Sequence, residues 1–176
     1  MAAERSSERT VAAQPADVQE LVVTRVIEAP RTLVFQMFTD PAHVVHWWRP
    51  QGFQTPIIEK LDARSGGSSR IQMPHSDGTL YTCSNQYHEV VAPERIVYDE
   101  VCEENGRLFH RARLTVTFAD RDGGTKLTIR ARLELVPDRD PRWTLDRMGS
   151  GWRDGWDSIL PLLASRVRTV AGAGGP

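Results

Sequence analysis

The sequence lacks a surplus of charge, a long apolar run and any abundance of cysteine, and each shortage closes off a class of protein. Its 22 Lys and Arg against 23 Asp and Glu leave a formal net charge of −1 with no block of like charge. Non-specific nucleic-acid binding needs a basic face to neutralise phosphates, so no nucleic-acid partner is expected. No apolar stretch approaches the roughly 18 residues of a membrane-crossing helix, so no membrane partner is expected either. Residues 1–17 mix Arg5 and Arg9 with Glu4 and Glu8 and show no apolar segment of the secretory-signal kind. The two cysteines, Cys83 and Cys102, belong to no motif. Reduced thiols in a cytoplasmic protein are the plain expectation, and a disulfide requires that the strands carrying them be neighbours.

Recognisable catalytic and metal motifs are lacking too. The five histidines, His43, His46, His75, His88 and His110, show no metal-ligand spacing backed by cysteine or carboxylate, so neither a metal nor a cofactor is expected. His43 and His46 stand three apart on a helix, as surface residues often do by chance. Ser150 lies in Gly149-Ser150-Gly151-Trp152, which lacks the pattern and the entering strand of a nucleophile elbow.

What is present is one domain of ordinary size. The 176 residues suffice for a real core, and no internal repeat or second composition zone divides them. The folded part is expected over residues 20–170, between disordered tails at 1–19 and 171–176.

The longest patterned stretch runs from Arg142 to Val170. Met148, Trp152, Trp156, Ile159, Leu163 and Val167 recur at helical spacing, while Arg147, Arg153, Asp154, Asp157 and Arg168 take the other face. Gly149, Gly151 and Gly155 oppose the helix by about 1 kcal/mol each. Burial of an indole contributes up to about 5 kcal/mol and offsets them. Glycines there make sense if the helix lies close to a sheet or to a bound molecule. Pro161 cannot donate to the Asp157 carbonyl, so a kink or a break is expected near it.

Strands dominate the rest. Residues 21–28 are rich in β-branched side chains and read as a strand. A helix follows over 31–39, then a second with Asp40 as N-cap and Pro41 in its first turn. Strands are expected over 53–61, 69–73, 79–91, 95–103, 108–119 and 126–136. Turns at Ser65-Gly66-Gly67, Asp77-Gly78, Ala92-Pro93, Asn105-Gly106 and Asp122-Gly123 separate them. The order is β-α-α-β-β-β-β-β-β-α. The short links make an antiparallel meander whose apolar face must be covered, and the last helix is the one element long enough to do it. The fold class is α+β: a curved antiparallel sheet wrapped around a long C-terminal helix. Where such a sheet bends away from the helix, a small-molecule cavity is expected.

Seven short motifs lie in order along this frame. They are Glu28-Ala29-Pro30-Arg31-x-x-Val34-Phe35, Phe38-Thr39-Asp40-Pro41, Trp47-Trp48-x-Pro50-x-Gly52-Phe53, Pro93-Glu94-Arg95-Ile96-Val97-Tyr98, Thr115-Val116-Thr117-Phe118, Gly124-Thr125-Lys126-Leu127-Thr128, and Gly155-Trp156 with Leu160 and Leu163. Through them, Leu21 to Val167 resembles the START/birch-pollen-allergen superfamily, whose fold is called helix-grip. It is most similar to the branch named after the C-terminal domain of the activator of heat-shock protein 90 ATPase. Pro161 and the extra Gly151-Trp152 depart from that pattern. The resemblance implies a cavity between sheet and helix, and its relatives range from lipid carriers to cyclases and self-resistance proteins.

A small hydrophobic or aromatic molecule is therefore the expected partner, in a carrier, sensor or sequestering role. A cyclase- or hydrolase-type enzyme is the first alternative, and a chaperone-partner module, implied by the branch name alone, is the second. A homodimer stays open. The expected lining is Trp48, Phe53, Met73, Tyr81, His110, Ala112, Met148, Trp152 and Trp156. One of Trp47 and Trp48 should be core and the other at the mouth. Met148, Trp152 and Trp156 should be core first, with at most one facing a ligand. Catalysis would need His110 and Glu100, with Tyr81 or Tyr87. Strand parity lets Glu100 approach His110 across a hairpin, although a solvated pair near the open end of the sheet is the plainer expectation.

Overall fold

The computed structural model describes residues 18–173. The chain runs β1 (Val18–Ile27), α1 (Arg31–Thr39), α2 (Pro41–Trp47), β2 (Ile57–Leu61), β3 (Ser68–Pro74), β4 (Leu80–Val91), β5 (Arg95–Glu104), β6 (Arg107–Arg121), β7 (Gly124–Leu135) and α3 (Leu145–Ala173). This is the expected order. The seven strands form one open antiparallel sheet, ordered β1-β7-β6-β5-β4-β3-β2. β2 to β7 are a meander in chain order, and β1 returns to pair with β7 along its whole length.

The sequence explains this regularity. Asn105 and Gly106 both adopt positive φ, as do Asp122 and Gly123. Two such residues in succession match the twist of the flanking strands and fix the register of a tight hairpin. Along β5, β6 and β7 buried residues alternate with more exposed ones, so one face of the sheet is apolar. That face and α3 share one core, which includes Leu114, Val116, Leu127, Ile129, Leu133, Leu160 and Leu163.

At one end, aromatic rings close the gap between sheet and helices. Phe35 and Phe38 of α1 lie edge-on to Phe118 of β6, with centroids 5.3 and 5.2 Å away. Phe38 meets Trp47, Trp47 meets Trp48, and Trp48 reaches Trp156 of α3 at 5.2 Å. Trp47 is fully buried and its indole N–H donates to the Met37 carbonyl at 2.8 Å. Asp40 caps α2 by accepting from the Ala42 amide at 2.8 Å.

Several expectations need correction. Phe53 is not in a strand: it is held by an isolated bridge to His75, and β2 begins only at Ile57. Val18 and Gln19 belong to β1, and residues 171–173 belong to α3; the remainder of both expected tails lies outside the described residues. α3 starts at Leu145 instead of Arg142, which leaves Trp143 in the preceding loop. It does not break at Pro161. Pro161 and Asp157 are both exposed, so the carbonyl that loses its helical partner can be hydrated. The cysteines are not reduced thiols: Cys83 and Cys102 form a disulfide. Their strands are neighbours and the two residues stand directly opposite each other.

Candidate functional site

The end of the sheet away from Phe118 does not close. A cavity of about 410 Å³ lies there between β3–β6 and the first half of α3. Its wall is mostly apolar, with Phe53, Met73, Phe109 and Leu114 on the sheet side and Met148, Trp152 and Trp156 on the helix side. The Gln51 amide donates to Ser158 Oγ at 3.1 Å, which ties the loop after α2 to α3 at the rim. Gly151 and Gly155 also line the cavity, and a Cβ placed on either would meet nothing within 4 Å. Gly149 has a different role: a Cβ there would come 2.2 Å from the Gln19 side chain of β1.

A bulge shapes the polar part of the wall. Cys102 pairs with His110 and Glu103 pairs with Leu108, which leaves Phe109 as an extra residue in β6. Bulges re-aim side chains locally. Here the consecutive residues Phe109 and His110 are both buried and both line the cavity. His110 Nε2 lies 3.4 Å from Glu100 Oε1. Both side chains are about nine-tenths buried, so the expectation of a solvated pair is overturned. The bulge carries the imidazole inward although the turn is only a few residues away.

Beside this pair sits a second polar cluster. Glu104 is buried near the end of β5 and accepts from the Tyr81 hydroxyl at 2.9 Å, from Trp143 Nε1 at 3.3 Å and from the Arg142 guanidinium. Burial, and then the Glu104 carboxylate, push the Tyr81 phenol up to about 12, so it stays a donor at every ordinary pH. Trp143 stacks on Phe109 with centroids 4.4 Å apart, and the Arg147 guanidinium lies 5.1 Å from the Trp143 ring.

The frame and the cavity together fit one known fold. The family described as Activator of Hsp90 ATPase homolog 1-like protein matches residues 28–167. The chain belongs to this family. A Chromobacterium violaceum protein of known structure is 29% identical, with a TM-score of 0.70 over 84% of this chain and 96% of that one. A Rhizobium leguminosarum protein is 25% identical, with a TM-score of 0.68 over 85% and 96% of the two chains. A Rhizobium loti protein, 21% identical, shares the fold with a TM-score of 0.70 over 87% and 99%. No curated protein is similar enough to match.

Within this member of the activator-like family, the expected site residues fall as follows. Trp48, Phe53, Met73, Tyr81, His110, Met148, Trp152 and Trp156 all line the cavity, as does Glu100. Ala112 does not: it is buried between its sheet partners Glu100 and Leu133. Met148, Trp152 and Trp156 all line the cavity, and Met148 and Trp156 are also buried in the core. Tyr87 is not a cavity residue; its hydroxyl donates to Ser69 Oγ at 3.2 Å, and burial raises its pKa above the ordinary value. His43 Nδ1 faces Arg166 at 3.1 Å, and Ser150 donates to the Arg147 carbonyl on the exposed side of α3. Phe109, Trp143, Cys83 and Cys102 are also part of the wall and escaped sequence reasoning. The bulge behind Phe109 has no local signal. The cysteine strands are joined by the turn at Ala92-Pro93, but a bulge at His88 shifts the register by one, so counting from that turn alone would set Cys83 opposite Glu103 instead of Cys102.

Proposed function

We propose that this protein binds one small hydrophobic or aromatic molecule between the open end of the sheet and α3, in a carrier, sensor or sequestering role. One observation carries the reading: a cavity of about 410 Å³ walled by aromatic, Met and Leu side chains. That volume falls within the roughly 300–1,000 Å³ of small-molecule sites, and apolar walls favour an apolar occupant. Family membership supports it, since the fold supplies this cavity position.

The first test is native mass spectrometry of the purified chain, followed by denaturing extraction. A discrete bound molecule is expected, and the same spectrum reads whether the chain is a monomer or a homodimer. The second test blocks the cavity. Gly155 has open space where a side chain would go, so Gly155→Phe should fill the mouth and leave the core intact. An anilinonaphthalenesulfonate dye should bind the wild type and lose at least tenfold in affinity in Gly155→Phe. Equal dye binding by a folded Gly155→Phe would sink the proposal.

A second reading has its own observation. Glu100, His110 and Tyr81 converge on the cavity, as a cyclase- or hydrolase-type site would require. It predicts that the extracted molecule is turned over and that His110→Ala abolishes turnover with less effect on binding. The chaperone-partner reading draws no such support. Among the described residues the large exposed apolar side chains are Val22, Val26, Ile57 and Val91, and β1 and β2, which carry three of them, are opposite edges of the sheet. Among the described residues no helix is long and apolar enough to cross a membrane. A cytoplasmic setting stays part of the proposal, and it implies that cellular thiols would reduce the Cys83–Cys102 bridge.

A further inference from the structure

A row of chemically unusual side chains crosses the sheet along one wall of the cavity. Cys83 on β4 stands opposite Cys102 on β5, and Cys102 stands opposite His110 on β6. Residues directly opposed on neighbouring strands share a face. Two sulfurs and an imidazole therefore leave the sheet side by side. Glu100 precedes Cys102 by two residues, so its carboxylate joins them. All four side chains are buried, and all four line the cavity.

An apolar ligand gives this set no purpose, and buried polar groups cost free energy when they lack good partners. The partners here are poor. The 3.4 Å between His110 Nε2 and Glu100 Oε1 exceeds the roughly 2.7–2.9 Å of a charge-assisted hydrogen bond. His110 Nδ1 is buried with no hydrogen-bond partner among the described residues.

We propose that, with the disulfide reduced, Cys83, Cys102, His110 and Glu100 bind one divalent zinc-class cation, and that oxidation of the two cysteines closes this site. Two thiolates, one imidazole and one carboxylate are ligands that zinc takes in tetrahedral geometry. At ordinary zinc bond lengths a tetrahedron sets its nitrogen and oxygen donors about 3.4 Å apart and two sulfurs about 3.8 Å apart. The first spacing is that found between His110 and Glu100. One ligand atom from each of Cys83, Glu100 and Cys102 already lies within 4.8 Å of the others. Reduction parts the two sulfurs, and the ion then lies among Cys83, Glu100 and Cys102, with His110 completing the set from its place beside Glu100.

The steps balance with a dithiol as reductant. It gives two electrons and two protons, the Cys83–Cys102 bond breaks to two thiols, and the dithiol leaves as its own disulfide. The cation then displaces both thiol protons into solvent. A disulfide-forming oxidant reverses the sequence and expels the ion. The site does not depend on which molecule fills the cavity, or on whether any does.

The test uses the full chain, reduced with a phosphine and freed of it without air, then titrated with cobalt(II) as a spectroscopic stand-in and with zinc. The reduced protein should bind one cobalt, with thiolate-to-cobalt charge-transfer absorption and the intense visible bands of a tetrahedral ion. Zinc should displace it, and the oxidised protein should bind neither. Cys83→Ser/Cys102→Ser should lose the charge-transfer band, and His110→Gln should weaken zinc binding at least tenfold while the far-ultraviolet dichroism stays native. Absence of a thiolate band in the reduced wild type overturns the proposal, as does a band that survives Cys83→Ser/Cys102→Ser. If reduction unfolds the chain, zinc should restore the dichroism, and failure to do so also overturns it. Dye binding by the oxidised protein is a separate readout, so loss of the metal site leaves the ligand reading standing.

Discussion

Glu104 shows how one residue can hold the rim of the cavity. Its buried carboxylate accepts from Tyr81, Trp143 and Arg142, three residues on two separate stretches of chain. Glu104→Ala strands those donors together, whereas Tyr81→Phe removes one donor and leaves the carboxylate two others. Hydrogen bonds to a charged group contribute about 1.5–3 kcal/mol. Urea unfolding should therefore show a loss of about 2–3 kcal/mol for Glu104→Ala and a smaller loss for Tyr81→Phe. The tyrosines offer a further check on the disulfide form. All three phenols are raised: Tyr81 to about 12, Tyr87 in the same direction, and Tyr98 well above its ordinary value, each with burial as the first cause. The folded state thus holds protons that the unfolded state releases near 10, and stability must fall as pH rises beyond that value. Near-ultraviolet titration should show less phenolate in the native protein than in denaturant at pH 10.0, the ordinary value for this group. A native tyrosine that titrates at its ordinary value would contradict the packing described.

Elements were read from the sequence more easily than their ends and irregularities. The apolar stripe of α3, the paired helices after β1 and the alternation in β6 and β7 each follow from spacing alone, because regular hydrogen bonding forces a fixed period. Trp143 was misplaced because Asp140, Pro141 and Arg142 permit either a loop or a helix start, and the choice is made by the distant Phe109 ring and Glu104 carboxylate. His110 was expected to be solvated because a bulge is decided by two strands together and leaves no mark in one. Pro161 leaves α3 unbroken because it falls on a hydrated side. The glycines of α3 separate into two kinds that composition cannot distinguish. Gly149→Ala must push the Gln19 side chain aside, whereas Gly151→Ala meets nothing within 4 Å. Removing a helix-interior glycine then contributes up to about 1 kcal/mol. Thermal unfolding should place Gly151→Ala above the wild type and Gly149→Ala at or below it, and the reverse order would refute this packing of α3 on β1.

For the molecule as a whole, sheet and helix converge at the Phe118 end and part at the other, so fold and cavity have a single cause. The aromatic chain from Phe35 runs from the closed end to Trp48 and Trp156 at the cavity wall, and the sheet end with the bulge stays open. The antiparallel order was legible, because every link after β2 is short. The cavity wall was legible where a side chain's face follows from alternation, and illegible where register across several strands decides it, as for Cys83, Cys102 and His110. The disulfide joins strands that already pair through the length of β4 and β5, so it is not needed to define the fold. Its effect lies mainly in the unfolded chain. With a sequence separation of 19 residues, the loop-entropy relation gives about 3 kcal/mol. Metal-free Cys83→Ala/Cys102→Ala should therefore keep the native far-ultraviolet spectrum, lose about 3 kcal/mol in urea and unfold with a steeper denaturant dependence, because its unfolded state is more expanded. Loss of the native spectrum instead would mean that the bridge, and not the hairpin register, holds β4 against β5.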